Sequence, residues 1–495
     1  MSLSVSVRRL APALFLALTV PAALHAAIYI PNKTADTNDG ACDSDCSLRE
    51  AITAANQNPG EDVILLHAGT YTLTAAGPAS GNLQIQGDTV LMGDGAGRTI
   101  IDGGAVGGIF FIPSGVTVRM QDLALRNGRS PGAGGAIHNQ GDLTLLRTIL
   151  TGNSSVAGAA GTGQGGALVS DGTSPSLTLS DSTISDNTAQ GKGGGIVAGG
   201  DVSLTNVTIS GNRSATDLGG GLYIFSDSRV TINNATISGN TAALKGGGIL
   251  VETALFIGVP PKVTNSIIAG NTAPAGPDCG GPIDTSYNLI GNGTDCVGPS
   301  AANHDKVGTA ASPLDARLGS LTVNGGPTPT LALLTGSPAI NAGNPSPPGS
   351  GTGACEAADQ RDARRPGAAT CDIGAFEATA ACVAGGNTLC LSNGRFKVTA
   401  NWQTATASGA GTGVTLTGDS GYFWFFDAGN VEVVAKVLNA CGVNNRYWFF
   451  AAGLTNQKVD LTVTDTQTGQ VKTYSSPLNQ TFRTITDTGA FASCP

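Results

Sequence analysis

The chain has 495 residues, a formal net charge of −9 and only 12% charged residues. That length allows two or three domains, and the acidic, sparsely charged composition argues against nucleic acid, which wants basic patches, and against an anionic bilayer. Its 72 glycines sit among persistent β-branched periodicity, so they read as tight corners and not as disorder.

Residues 1–26 carry Arg8 and Arg9, then the apolar run LAPALFLALTVPAAL, then Leu24-His25-Ala26. This is the pattern of a secretory signal peptide with cleavage after Ala26 or Ala27, so an exported protein at the cell surface or outside the cell is expected. No later stretch is apolar over 18 residues, so no membrane-spanning helix is predicted.

Residues 27–60 form the next unit. Ser47 and Glu50 make a capping box, and Leu48, Ala51, Ile52 and Ala55 follow at helical spacing, which predicts one amphipathic helix over 48–57. The aspartates Asp36, Asp39, Asp43 and Asp45 crowd the preceding loop. Calcium is the one cofactor considered there, because it takes several oxygen ligands on a flexible loop. The alternative is a polar loop closed by Cys42 and Cys46.

Residues 61–278 hold a repeat. A Gly-Gly-Gly-aliphatic phrase, with Ala third in its first two copies, starts at Gly134, Gly165, Gly193, Gly219 and Gly246. Periods of this size signal a solenoid. Apolar or small residues follow at offsets 0, 2, 5 and 7: Val202, Leu204, Val207 and Ile209, then Val230, Ile232, Ala235 and Ile237. The offsets describe two short strands with a bend between them, both facing one core. An Asn closes each copy at Asn153, Asn187, Asn212, Asn240 and Asn271, where stacked amides can bond one another as a ladder. Each repeat is therefore predicted to be one coil of a parallel β-helix, with coils about 4.8 Å apart.

These features resemble the right-handed parallel β-helix of the pectin lyase-like superfamily, including the polymorphic outer-membrane-protein repeats. The segment Gly93-Asp94-Gly95, then Thr99-Ile100-Ile101-Asp102-Gly103, looks like an early coil of that superfamily. CDSDCSLRE resembles the Cys-Ser-Leu-Arg-Glu-Ala segment that opens secreted bacterial β-helices. The stretch 279–378, with SYNLIGNGTDC, GSPAINAG, DQRDARRP and CDIGAFE, resembles the "choice-of-anchor Q" domain and is expected to cap the C-terminal end. The resemblances imply an all-β chain: a right-handed parallel β-helix with an N-terminal helical cap and a small C-terminal sandwich-like module. Such helices carry lyases, hydrolases and plain adhesins, so the fold does not choose the function.

Residues 382–495 hold 14 of the 24 aromatics. RFKVTANW, GYFWFFD, VEVVAKVL, RYWFFAAGL, KVDLTVTDTQTG and VKTYSS read as strands of a compact all-β module. At period 2, half of each aromatic run is needed as core, leaving one or two rings for sugar contact.

Ten cysteines fall at the ends and in the last module: Cys42/Cys46, Cys279/Cys296, Cys355/Cys371, Cys382/Cys390 and Cys441/Cys494. In an exported chain they imply disulfides, grouped here by sequence proximity alone.

Catalytic candidates are few. A β-helix lyase needs a base for the C5 proton and a cation for the uronate carboxylate. Lys192 and Lys245, each just before a triple glycine, with Arg147 or Arg213, are the candidates; the bland reading is solvated turn residues. A glycosidase needs two carboxylates about 5–10 Å apart, to be found among Asp142, Asp171, Asp181, Asp186, Asp201, Asp217 and Asp227. His138 reads as a solvent-facing strand residue. The leading expectation is an adhesion or glycan-contact protein, monomeric, with an extracellular glycan or cell-surface ligand. The rival is a polysaccharide lyase or hydrolase working in a lateral groove.

Overall fold

The computed structural model describes the chain except residues 1–25, 75–82, 159–161, 254–258, 335, 366–369, 379–381, 383, 393, 467–469 and 493–495. The signal-peptide segment and Cys494 lie outside the described residues.

The repeats fold as coils of a parallel β-helix, each contributing strands to stacked parallel sheets. In the coil that begins at Gly193, Ile196–Ala198 joins sheet 1, Asp201–Thr205 sheet 2, Thr208–Ser210 sheet 3 and Arg213–Ser214 sheet 4. Among the described residues these sheets have nine, ten, ten and five strands. Register is strict: Leu177 pairs with Val202 and Val202 with Val230, while Ile184, Ile209 and Ile237 stack on the next sheet. The inward residues at offsets 0, 2, 5 and 7 form one continuous apolar core. One coil cannot bury its own face, so each is stabilised by its neighbours.

From the coil of Asp122 onward the bend between sheets 2 and 3 is a single left-handed residue. Asp122, Arg147, Asp181, Asn206, Asn234 and Asn265 hold φ between 49° and 58° there, a conformation that Asn and Asp tolerate best. The next corner, between sheets 3 and 4, is held by the asparagines. Asn153 Nδ2 donates to Asn187 Oδ1, Asn187 to Asn212, Asn212 to Asn240 and Asn240 to Asn271, at 2.9–3.0 Å. The row ends on Asp278, whose Oδ1 accepts from Asn271. At the glycine corner a side chain has no room: a Cβ on Gly194 or Gly220 would lie 2.3–2.5 Å from backbone atoms of the next coil or of sheet 4.

The helix spans Leu48–Gln57 behind its capping box, and Leu48, Ala51, Ile52 and Ala55 close the core over the first coil. The stretch 279–378 departs from the expected end cap. Its first part adds strands to the helix, Cys279–Pro282, Asp284–Ser286, Leu289–Ile290 and Lys306–Val307. From about residue 313 the chain turns back and lies along the outward face of sheet 3 as a strap. Ile373, Phe376, Leu333 and Ala339 of the strap pack on the outward Ile267 and Leu289. Upstream the outward residues are Thr183, Thr208 and Thr236, and the strap meets them with hydrogen bonds. Thr183 Oγ1 donates to Pro329 O and Thr208 Oγ1 to Gln360 Oε1, both at 2.6 Å, and Thr236 Oγ1 accepts from Ala375 N–H. The return path covers the apolar Ile267 and Leu289, which a cap across the last coil would leave bare.

Residues 384–492 form the antiparallel module, two five-stranded sheets facing one another. Phe423, Phe425, Tyr447 and Phe449 fill its core, whereas Tyr422, Trp424, Trp448 and Phe450 alternate onto the outer face, half-buried. These four share a face because both runs lie in the same sheet in matching phase, and Phe426, 54% exposed, is the one exposed ring among the described residues of the module.

Disulfides join Cys42–Cys46, Cys279–Cys296, Cys355–Cys371 and Cys382–Cys390. Cys441 is also disulfide-bonded. No helix among the described residues is long and apolar enough to cross a membrane.

Candidate ligand face and seam pocket

Each sheet turns one side chain in two outward, and the sheets treat those residues differently. On sheet 1 the outward row Val169, Val197, Tyr223 and Leu250 is buried under Ala133, Leu218 and Phe225 from neighbouring loops. On sheet 3 the outward row lies under the strap. On sheet 2 it stays open. Its central row is Thr144, Thr178, Ser203 and Thr231, paired strand to strand, and a second row is Asp142, Ser176, Asp201 and Arg229. These alternate with the core residues by strand pleat alone.

Walls stand on both margins of this hydroxyl-rich floor. On one side the strap segment 349–356 rises beside Ser203, Thr205, Thr231 and Asn233, enclosing about 350 Å³. On the other, residues 172–176 with Gly200 and Asp227 enclose about 570 Å³ around Asp201 and Arg229. The charges on the floor are largely matched: Arg229 forks onto Asp201 at 2.6 and 2.8 Å, and Ser176 donates to Asp142.

The four basic candidates do not converge. Lys192 and Lys245 share the glycine corner, with Leu218 between them in the stack. Neither is simply solvated. Lys192 Nζ donates to Tyr223 Oη at 2.8 Å, and the phenol donates to Glu252 at 2.6 Å. Burial, then Glu252, holds that phenol well above its usual range, so it is a fixed donor. Tyr223 is fully buried, which makes the Lys192–Tyr223–Glu252 chain a strut over sheet 1. Lys245 pairs with Asp295 at 3.4 Å. Arg213 opens the sheet 4 strand, exposed. Arg147 lies across the coil, on the bend between sheets 2 and 3.

The calcium candidates also part company. Asp36 is held by Arg49 and by Thr74 N–H, Asp39 and Asp43 bond backbone amides two residues on, and Asp45 pairs with Lys33. Among the described residues no three His, Cys, Asp or Glu side chains form a group able to hold a metal ion. His138, expected to face solvent, is pinned to Asp171 at 2.8 Å and set edge-on to Phe111. Burial, the largest single influence, would raise the Asp171 carboxyl, but the bond and charge of His138 with the Gln140 bond together hold it below its ordinary range.

Arg147 and Asp181 do come together, in a pocket of about 700 Å³ at the seam between the bend and the strap, lined also by Asn206, Glu356, Asp359 and Asp362. Arg147 forks onto Asp122 at 2.6 Å. Asn206 Nδ2 donates to Asp181 Oδ1 and to Ala358 O. Burial pushes Asp181 up to about 6 against the Asn206 bond and the Arg147 charge, with Asp359 and Asp362 adding to the rise. Asp359 and Asp362 were outside the sequence-derived set, because nothing in the order of the chain says that residue 362 returns to residue 181.

Among known proteins, the family described as "Right handed beta helix region" matches residues 107–294 of this chain. That span lies within the solenoid and agrees with its parallel coils. No curated protein and no solved structure matches the chain.

Proposed function

We propose that this is an exported surface or extracellular β-helix protein that holds a weakly charged polysaccharide along the outward face of sheet 2. The observation that carries the reading is the in-register hydroxyl floor of Thr144, Thr178, Ser203 and Thr231, walled on both margins. A polymer of sugar rings presents hydroxyls of its own along its length, and a repeating row of donors and acceptors can meet several of them at once. The dispersal of Lys192, Lys245, Arg147 and Arg213 over three corners of the coil favours contact over lyase chemistry, which needs base and carboxylate neutraliser at one sugar. The disulfides fit an oxidising compartment.

The test is retention of the mature, disulfide-intact protein on immobilised neutral and uronic-acid polysaccharides. Release of unsaturated uronate and of reducing ends is read in the same samples. Retention without release is expected, and Thr231→Glu, which sets a carboxylate at the end of the hydroxyl row, should lower it about tenfold. Unsaturated product from any polymer would replace this reading with the lyase.

A further inference from the structure

Among the described residues, the seam pocket carries more carboxylates than its cations match. Its cations are spent: Arg147 forks onto Asp122, and Arg361 onto Asp359 and the Glu377 carbonyl. Its remaining carboxylates are not matched. Among the described residues, Asp181 has the Asn206 amide but no ion pair within 4.0 Å, and Asp362 and Glu356 have none either, Glu356 accepting only from Asn233 Nδ2 at 2.8 Å. The fourth acceptor is a neutral one. Asn206 is 6% exposed, both its Nδ2 bonds run to other wall groups, and its Oδ1 has no hydrogen-bond partner. Leaving a buried acceptor unpaired is costly. Among the described residues this wall therefore offers acceptors in excess of donors, and its unpaired carboxylates ask for positive charge.

A metal ion does not answer, since no three of these carboxylates are grouped tightly enough to chelate one. A cation that spreads several N–H and O–H donors over sugar-like dimensions does. The pocket adjoins the open floor: Glu356 lines both, and Thr205 on the floor precedes Asn206 in the wall. We infer that the seam pocket binds a protonated amine on a sugar ring, an amino-sugar unit of the polysaccharide lying on sheet 2. This rests on the polysaccharide reading for the polymer, and on the pocket's own groups for the amine.

The groups facing Asp181 set the pH response. They are Arg147 with its partner Asp122 on the bend, Asn206 on the next coil, and Asp359, Asp362 and Glu356 on the strap. With Asp181 raised to about 6, it is neutral in mild acid and anionic at neutrality, so amine affinity should rise from about pH 5 as Asp181 ionises and fall again once the sugar amine itself loses its proton.

The experiment is calorimetric titration of the full, disulfide-intact chain with a glucosamine trimer and with its N-acetylated counterpart. The expected result is at least about tenfold tighter binding of the free-amine trimer at neutral pH. That preference should vanish in Asp181→Asn and in Asp362→Asn, with N-acetylated binding unchanged. Asp362 is exposed, so its variant reports even if the more buried Asp181 change perturbs folding. Equal affinity for the two trimers, or a preference that survives both substitutions, overturns the inference. Polysaccharide retention with no amine preference would sink the pocket assignment alone. An amine preference without any retention on neutral polymers, unaltered by Thr231→Glu, would sink the sheet 2 reading and leave the pocket.

Discussion

Sheets 2 and 3 of the solenoid are built from the same grammar and meet opposite fates. Each turns a hydroxyl outward in coil after coil: Thr178, Ser203 and Thr231 on sheet 2, and Thr183, Thr208 and Thr236 on sheet 3. The first row meets solvent, Thr178 and Ser203 half-buried and Thr231 exposed, while the second is 0–1% exposed under the strap. What differs lies elsewhere in the chain. Sheet 3 gains Ile267 and Leu289 as outward residues in its later coils, and these give the returning chain an apolar foothold. Gln360 then satisfies the threonines, taking Thr208 and donating to Thr183 and Thr328. Outward threonine is thus compatible with either burial or a free face, and the deciding term is whether another segment brings matched acceptors and donors.

The strap's own charges offer the largest test of that contrast. Arg365 meets Glu377 at 2.6 Å with both side chains buried, and Arg365 also donates to the Asp372 and Gly374 carbonyls. Arg365→Ala removes the buried partner of Glu377 and the donors to two buried carbonyls and should cost about 3–5 kcal/mol, read as a lowered denaturation midpoint. A loss below about 1 kcal/mol would mean that the strap is only loosely docked. An equivalent change on the open face, Arg229→Ala against Asp201, should be nearly silent.

A smaller effect concerns pH. Burial, with Asp372 alongside and despite Arg365, pushes Glu377 up to about 7. A carboxyl raised on folding contributes stability that is fully present below its unfolded value near 4.5 and is lost as pH rises through about 7. Glu377→Gln should therefore flatten the stability profile between those limits. A variant profile parallel to the parent's would remove Glu377 from the account.

The smallest effect is the sharpest comparison. Thr208→Val keeps the β-branched shape but leaves Gln360 Oε1 without its donor, at a cost of about 1–3 kcal/mol. Thr231→Val on the open face should stay within about 0.5 kcal/mol. Equal losses at the two positions would erase the distinction between the faces.

Much of this architecture was legible in order along the chain. Offsets 0, 2, 5 and 7 placed Val202, Leu204, Val207 and Ile209 in one core, and the capping box at Ser47 and Glu50 placed the helix. Both signals are local: they depend on strand pleat and helix turn, which act over a few residues. The alternating aromatic runs also showed that half of each run goes inward, though not which half, nor that the outward rings share a face. The partners across coils were invisible, because Lys192, Tyr223 and Glu252 belong to three different turns of the stack.

The sequence by itself determined the coil, its corners and its asparagine row, since each copy repeats the same short-range preferences and stacking amplifies them. Only the tertiary structure decided which outward face would be used. The strap's path from residue 313 to residue 378 buries sheet 3, walls sheet 2 and brings Asp362 to Asp181. That choice depends on contacts between residues more than a hundred positions apart, such as Thr208 with Gln360, and no local periodicity encodes such a distance.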